Sequence, residues 1–375
     1  MRTTLQFELE RRSDGSSLDP VNLRSVLSGV HNALSGMGSW DRAAHVFWLL
    51  GPFILLIERS PADIWLSVIV LVFVGRAIMR REGWWLATGW VRFGFLFWFV
   101  CILSGAVSSL PLYSVGEVIA WFRFPLFAMA VVFWLGRDSR LVYGMILSIA
   151  VAMMMMTAIL AAELLIVGQT YGRLTWPYGD LVPGNFLAKA CLPASVVGVA
   201  LVTSAGRGIA GLSAKMILFS MAASLMTGER INFLIRLCSS IIAAVAWRPK
   251  ALRLTGLVVV FAGSFAALLL FVPGLAMRFI GYFITQLPNH AESGYYKAMM
   301  PGWLAFEQSP ITGIGPGNLR MLCPQITGGS PAYACHPHPH NYFLQMAGEA
   351  GIIGLVTGTL FLGSIVWACA RPALR

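Results

Sequence analysis

The feature that most limits what this chain can fold into is a succession of apolar runs separated by short polar stretches. Crossing the hydrocarbon core of a bilayer as a helix takes roughly 20 apolar residues. Such runs fall near 45–58, 63–79, 91–110, 116–135, 141–168, 186–203, 209–226, 230–247, 252–273 and 343–369. In hydrocarbon each backbone amide and carbonyl needs a partner, and a helix supplies it within its own segment. The expected fold is therefore an all-α polytopic membrane protein with about ten transmembrane helices. The first run is the weakest, being short and interrupted by Gly51-Pro52. Composition points the same way. Only 11% of the 375 residues are charged, against about 25% in a soluble domain, too few to wet a soluble globule.

The positive charges then set an orientation. Of the 27 Lys and Arg residues, 18 fall before residue 43, in 76–92, 137–140, 207–215 and 248–253, or after 370. These are the loops that share a side if the amino terminus is cytoplasmic, and cytoplasmic loops collect Lys and Arg. Both termini are accordingly expected in the cytoplasm of a bacterial inner-membrane, multi-pass protein. The net charge of +11 thus needs no polyanion, and no nucleic-acid partner is expected. The order along the chain is an N-terminal cytoplasmic tail over 1–43, nine spans within 44–273, a long loop over 274–342, a last span at 343–369 and a short C-terminus over 370–375. The tail is polar and mixed in charge, reads as partly disordered, and shows no apolar core of a cleavable leader. The long loop falls on the outer, periplasmic side. Loops of that length usually have a role, and within this one 297–308 reads as a short helix.

Polar groups retained at membrane depth are costly and are functional candidates by default. Three clusters share the outer side: Arg173 to Lys189 (RLTWPYGDLVPGNFLAK), the TGER turn with Glu229 and Arg230, and the loop that ends in HPHPHN. The TGER turn reads either as a tight turn whose charges satisfy each other or as an arginine set to grip an anion in a bidentate fork. In GIGPGN, Gly315 and Gly317 allow backbone amides to approach a diphosphate, and a plain turn is the competing reading. Among His336, His338 and His340, residues two apart in an extended segment point apart. No metal-binding spacing is present, so no metal site is expected. His340, at the junction of loop and last span, is the candidate base near neutral pH. Asn341, Gln345 and Glu349 follow at intervals of four and form one polar stripe on an otherwise apolar helix, while Gly348, Gly351 and Gly354 permit close helix packing. Cys323 and Cys335 are expected to form a disulfide that tethers the histidine segment.

With these residues in hand the chain resembles the O-antigen ligase and polymerase-like family of bacterial envelope proteins. HPHNYFLQMAGEAGIIGL carries the resemblance most specifically, supported by PITGIGPGNLRMLC, TGER and RLTWPYGDLVPGNFLAK. It extends from about 170 to 355. The resemblance implies a periplasm-facing glycosyltransferase of the GT-C type that is metal-independent and uses no cofactor. Such an enzyme moves a glycan from undecaprenyl diphosphate to an acceptor hydroxyl, on lipid A-core for a ligase or on another lipid-linked chain for a polymerase. Family roles fall on His340 as base and Arg230 as diphosphate ligand. A second family arginine is replaced here by HAESGYYKAMM, which offers His290 and Lys297 but no arginine. Lys297, Arg278 and Arg320 are the cations available in its stead. Arg173, Lys189, Glu229, His338, Asn341, Gln345 and Glu349 complete the expected substrate-facing set. A transporter or a scaffolding membrane protein is the rival class, although the internal repeats and paired broken helices common in transporters are not legible.

Overall fold

The computed structural model describes residues 23–57, 59–168, 174–176 and 291–371, with scattered positions between 224 and 288. Every regular element among the described residues is a helix. In chain order they are α1 (Leu23–Ser35), α2 (Ser39–Leu49), α3 (Gly51–Leu55), α4 (Arg59–Met79), a 3₁₀ turn (Trp84–Ala87), α5 (Gly89–Ala106), α6 (Pro111–Trp121), α7 (Arg123–Ala130), α8 (Ser139–Ile166), α9 (Gly294–Gln308), α10 (Asn318–Ile326) and α11 (Tyr342–Ala370). Five segments of the described residues are long and apolar enough to cross a membrane: Ser60–Met79, Gly89–Ala106, Pro111–Leu135, Ser139–Ile166 and Tyr342–Cys369. They coincide with the runs expected near 63–79, 91–110, 116–135, 141–168 and 343–369. The run at 45–58 does not form one crossing helix. It is divided at Leu50 into α2 and α3, because Pro52 brings no N–H to the helical ladder. The runs at 186–203, 209–226, 230–247 and 252–273 lie almost wholly outside the described residues, so the count of ten rests on the sequence.

The chain divides into two compact units. The first comprises Met1–Ile69 and Leu135–Tyr282. The described part of the expected N-terminal tail is helical here. The apolar face of α1 lies on α8, where Gly144 leaves room for Val30 and Leu49, and Gly29 rests on the aliphatic stem of Arg140. Arg42 closes the end of α1, its guanidinium donating to the carbonyls of Leu34, Ser35 and Met37 at 2.9, 3.2 and 3.1 Å, groups a helix end otherwise leaves unpaired. Asp138 caps α8 by accepting from the amide of Arg140 at 2.9 Å. The Arg140 guanidinium bonds the same carboxyl and holds it below the usual carboxylate range. The core gathers Leu56, Ala150, Ala152, Met153, Met156, Leu160 and Leu174. Of the four consecutive methionines, Met153 and Met156 are buried and Met154 and Met155 exposed, as a 3.6-residue period requires.

The second unit comprises Val70–Trp134 and Phe283–Arg375. Its centre is the packing of α5 on α11. Gly94 admits the ring of Phe361, and Gly358 admits Phe97, so the two rings stack with centroids 6.4 Å apart. Helix α6 closes the other face of α5 through Trp98 on Phe122, 4.4 Å between centroids. The indole N–H of Trp98 donates to the Val118 carbonyl at 3.2 Å. At the end of α4, Arg76 pairs with Glu82 and lies over the ring of Trp134 at 5.4 Å. This aromatic and charged packing fixes α5, α6 and α11 as the frame on which the loop elements α9 and α10 are mounted.

Candidate functional site

The histidine segment is assembled from α9, α10 and the start of α11, all in the second unit. Cys323 of α10 is bonded to Cys335, with Cα atoms 5.6 Å apart, as expected from the sequence. The next residues, His336 to His340, are held to α9 on their far side. The amide of Ala334 donates to the Lys297 carbonyl at 3.0 Å, and Gly302 of α9 leaves room for Pro339 and Leu344. Asn341 caps α11, its side-chain oxygen accepting from the amides of Phe343 and Leu344 at 3.0 and 3.1 Å. That use as a helix cap commits the side-chain oxygen of Asn341 to α11 rather than to a substrate.

His340 itself is on left-handed backbone, with φ of 53°, a conformation that costs a residue with a side chain roughly 1–3 kcal/mol. The three histidines do not diverge as an extended segment would have them. The rings of His336 and His338 lie 5.1 and 4.6 Å from that of His340, because Pro339 and the left-handed residue fold the chain back. Tyr295 of α9 stands edge-on to His340 at 6.2 Å. Burial pushes the pKa of His340 down from 6.5, and the charges of His338 and His336 push it the same way. The imidazole is therefore neutral at neutral pH and free to accept a proton. Among the described residues no group of three or more His, Cys, Asp or Glu has an arrangement that would hold a metal ion.

Below the histidines α11 is broken. Gly351 has φ of 66° and ψ of −167°, and the helix hydrogen bonds that would pass it are replaced by bonds to the Pro310–Gly315 loop. Ile314 and Gly315 donate their amides to the carbonyls of Gly348 and Glu349 at 3.0 and 2.9 Å, and Ile352 donates to the Pro310 carbonyl at 2.8 Å. Irregular backbone is tolerated at membrane depth only where protein satisfies it, and this loop does so. Gly313 and Gly351 sit so close to the facing backbone that a methyl group at either would overlap it. Gly348, by contrast, serves the expected close packing, against Gly302 and Ala305 of α9.

The polar stripe of α11 faces this loop. Gln345 donates to Glu349 Oε2 at 3.1 Å, and Glu349 is buried, 6% exposed. Its other carboxyl oxygen, Oε1, is buried with no hydrogen-bond partner. Ser104 of α5 donates to the Glu349 carbonyl at 2.9 Å and Ser114 of α6 to the Pro316 carbonyl at 2.7 Å. Asn318, fully buried, donates to the Ile314 carbonyl at 2.8 Å. The Gly-rich turn is thus pinned from three helices. Glu349 lies nine positions after His340 in the sequence, roughly 13 Å along a helix, and so is not in contact with the ring.

Other expected site residues are placed less centrally or not at all. Lys297 is in an ion pair with Glu292 at 2.8 Å. Arg320 is exposed at the start of α10. Arg173, Lys189, Glu229, Arg230, Arg278 and His290 lie outside the described residues. One carboxylate escaped the sequence reading. Glu163 of α8, in the first unit and 4% exposed, accepts from the amides of Thr175 and Trp176 at 2.8 Å and from the Thr175 hydroxyl at 3.2 Å. It anchors the segment that follows Arg173. The signal for it was a lone acid deep in an apolar run.

These elements define a class: a polytopic α-helical membrane protein in which a disulfide-tethered histidine segment leads into a broken terminal helix. Residues 215–357 match the family model described as O-Antigen ligase, so the chain carries an O-antigen ligase family domain, which ends within α11 beyond the break. No curated relative and no solved structure matches the chain.

Proposed function

We propose that this protein is a membrane glycosyltransferase that moves a glycan from undecaprenyl diphosphate to an acceptor hydroxyl, on lipid A-core in the ligase reading. The observation that carries the proposal is His340: a neutral imidazole on strained backbone at the head of a membrane helix, inside the family-matched segment. In the reaction, His340 takes the proton of the acceptor hydroxyl as its oxygen attacks the anomeric carbon. The bond from that carbon to the diphosphate breaks with its electron pair, and attack from the opposite face inverts the centre. The leaving diphosphate needs positive charge near its oxygens. Arg230 is assigned that task by the family resemblance, with Lys297, Arg173 and Arg320 as further cations. In this reading the site faces the periplasm of a bacterial inner membrane and both termini are cytoplasmic.

Deletion of the gene, followed by gel analysis of envelope glycans, tests the reading. A ligase leaves lipid A-core bare while lipid-linked polymer accumulates; a polymerase leaves single repeat units. In reconstituted protein, His340→Ala is expected to abolish transfer. Full transfer by that variant would show that another group is the base.

A further inference from the structure

Among the described residues, His340 and Arg81 are the two non-glycine positions with a positive φ. The neighbours of His340 are fixed by contacts of their own: Pro339 packs into the space left at Gly302, and Asn341 caps α11. Between them, the amide of His340 donates to Nδ1 of His338 at 3.2 Å. Asn341 makes the same bond one turn further on, accepting from the amide two residues ahead of it. Asn and Asp side chains form such turns with their own backbone. A histidine enters one in a single form, because an Nδ1 that accepts carries no proton and the ring hydrogen is then on Nε2. The His338 ring also stands edge-on to that of His340, with centroids 4.6 Å apart. Tyr295 and His336 complete the surroundings of the imidazole at 6.2 and 5.1 Å.

We propose that His338 is a positioning residue for the base: its Nδ1 accepts the His340 amide and so holds His340 on left-handed backbone. The inference rests on the reading of His340 as the base, and it takes His338 out of the substrate-facing set. Left-handed backbone at a non-glycine residue persists only when the surroundings over-determine it. Pro339 and Asn341 hold the chain on either side of His340, and the bond to His338 fixes the peptide between them. Withdrawing one hydrogen bond of ordinary net worth shifts such an equilibrium by about fivefold. The population of correctly placed base falls by that factor, and substrate binding is untouched.

The two nitrogens of the His338 ring can be imitated separately. Asn places an amide oxygen where Nδ1 stands, whereas the side-chain amide of Gln reaches the position of Nε2. Full-length protein is reconstituted with an undecaprenyl-diphosphate-linked glycan as donor and lipid A-core as acceptor, and His338→Ala, His338→Gln and His338→Asn are compared with wild type. In the Ala and Gln variants kcat should fall about fivefold while KM for the donor changes less than about twofold. His338→Asn, which restores the acceptor, should recover most of that kcat. A wild-type kcat in His338→Ala overturns the inference. So does a rise in KM alone, or recovery by Gln and not by Asn, since either marks Nε2 as a substrate contact. Loss of all transfer in His338→Asn also overturns it, by giving His338 proton chemistry of its own. If His338→Ala fails to accumulate in membranes, the other pair decides: kcat higher in Asn than in Gln supports the inference, and equal values sink it. His340→Ala is run in parallel: full activity there refutes the proposed function whatever the His338 variants do.

Discussion

Replacing Gly351 by alanine tests the broken helix most directly. The backbone there, φ 66° and ψ −167°, lies in a region essentially confined to glycine, and a Cβ would overlap the carbonyl of Ile311. Alanine must therefore either endure the strain or restore a regular helix. The first route costs roughly 1–3 kcal/mol. The second expels the Pro310–Gly315 loop, and with it the amide bonds from Ile314, Gly315 and Ile352, each worth about 1 kcal/mol net, offset in part by a regained helical bond. Either way the expected loss is on the order of 2–4 kcal/mol. Thermal unfolding in detergent should show it as a fall of about 5 °C or more, and transfer activity should drop with it. Gly363 provides the control within the same helix. Nothing lies within 4 Å of a methyl group there, so Gly363→Ala should be neutral or stabilising by up to about 1 kcal/mol. If Gly351→Ala behaves like Gly363→Ala in both assays, α11 is not broken as described and the account of the loop fails.

Three further outcomes follow from the geometry. The pH profile of transfer should keep its plateau through neutral pH and fall only below the ordinary histidine value of 6.5, because burial lowers the pKa of His340 and activity is lost as the base takes up a proton; a fall centred above 6.5 would contradict this. Cys323→Ser should destabilise the histidine segment by about 3 kcal/mol, the loop-closure value for a ring of this size; it should abolish most transfer while leaving membrane insertion intact, as read by protease accessibility and activity together. Glu163→Ala removes the acceptor of two backbone amides and should cost on the order of 2–4 kcal/mol; cleavage by added protease near 174–176 should rise, and unchanged cleavage would show that the carboxylate is not the anchor.

Several parts of this architecture were legible in the residue order. Four interior spans and the last one were, since a run of about 20 apolar residues has few alternatives. The disulfide was also legible, from two cysteines in a polar stretch, and so was the His340 junction. The interruption at Gly51-Pro52 was visible as weakness but not as two helices, because whether a proline ends a helix depends on what satisfies the neighbouring carbonyls. The His336–His340 convergence was misjudged for a related reason. An extended segment spreads alternate side chains, but Pro339 and a left-handed His340 fold this one, and the His340 amide donates to His338 Nδ1 at 3.2 Å. Glu163 was overlooked because its partners are backbone amides that follow the helix and carry no sequence signature.

Residue order alone determined that this chain must be a helical membrane protein, because so few charges and so many apolar runs leave no other way to satisfy its backbone and surface. It also singled out the loop before the last span, with its histidines, as the candidate site. Only tertiary structure decided that the terminal helix opens at Gly351, and that a loop forty residues earlier in the chain fills the gap. Helix formation is local and is written in spacing, whereas a broken helix is stable only if distant amides and carbonyls arrive to complete it. That supply is a property of the assembled fold.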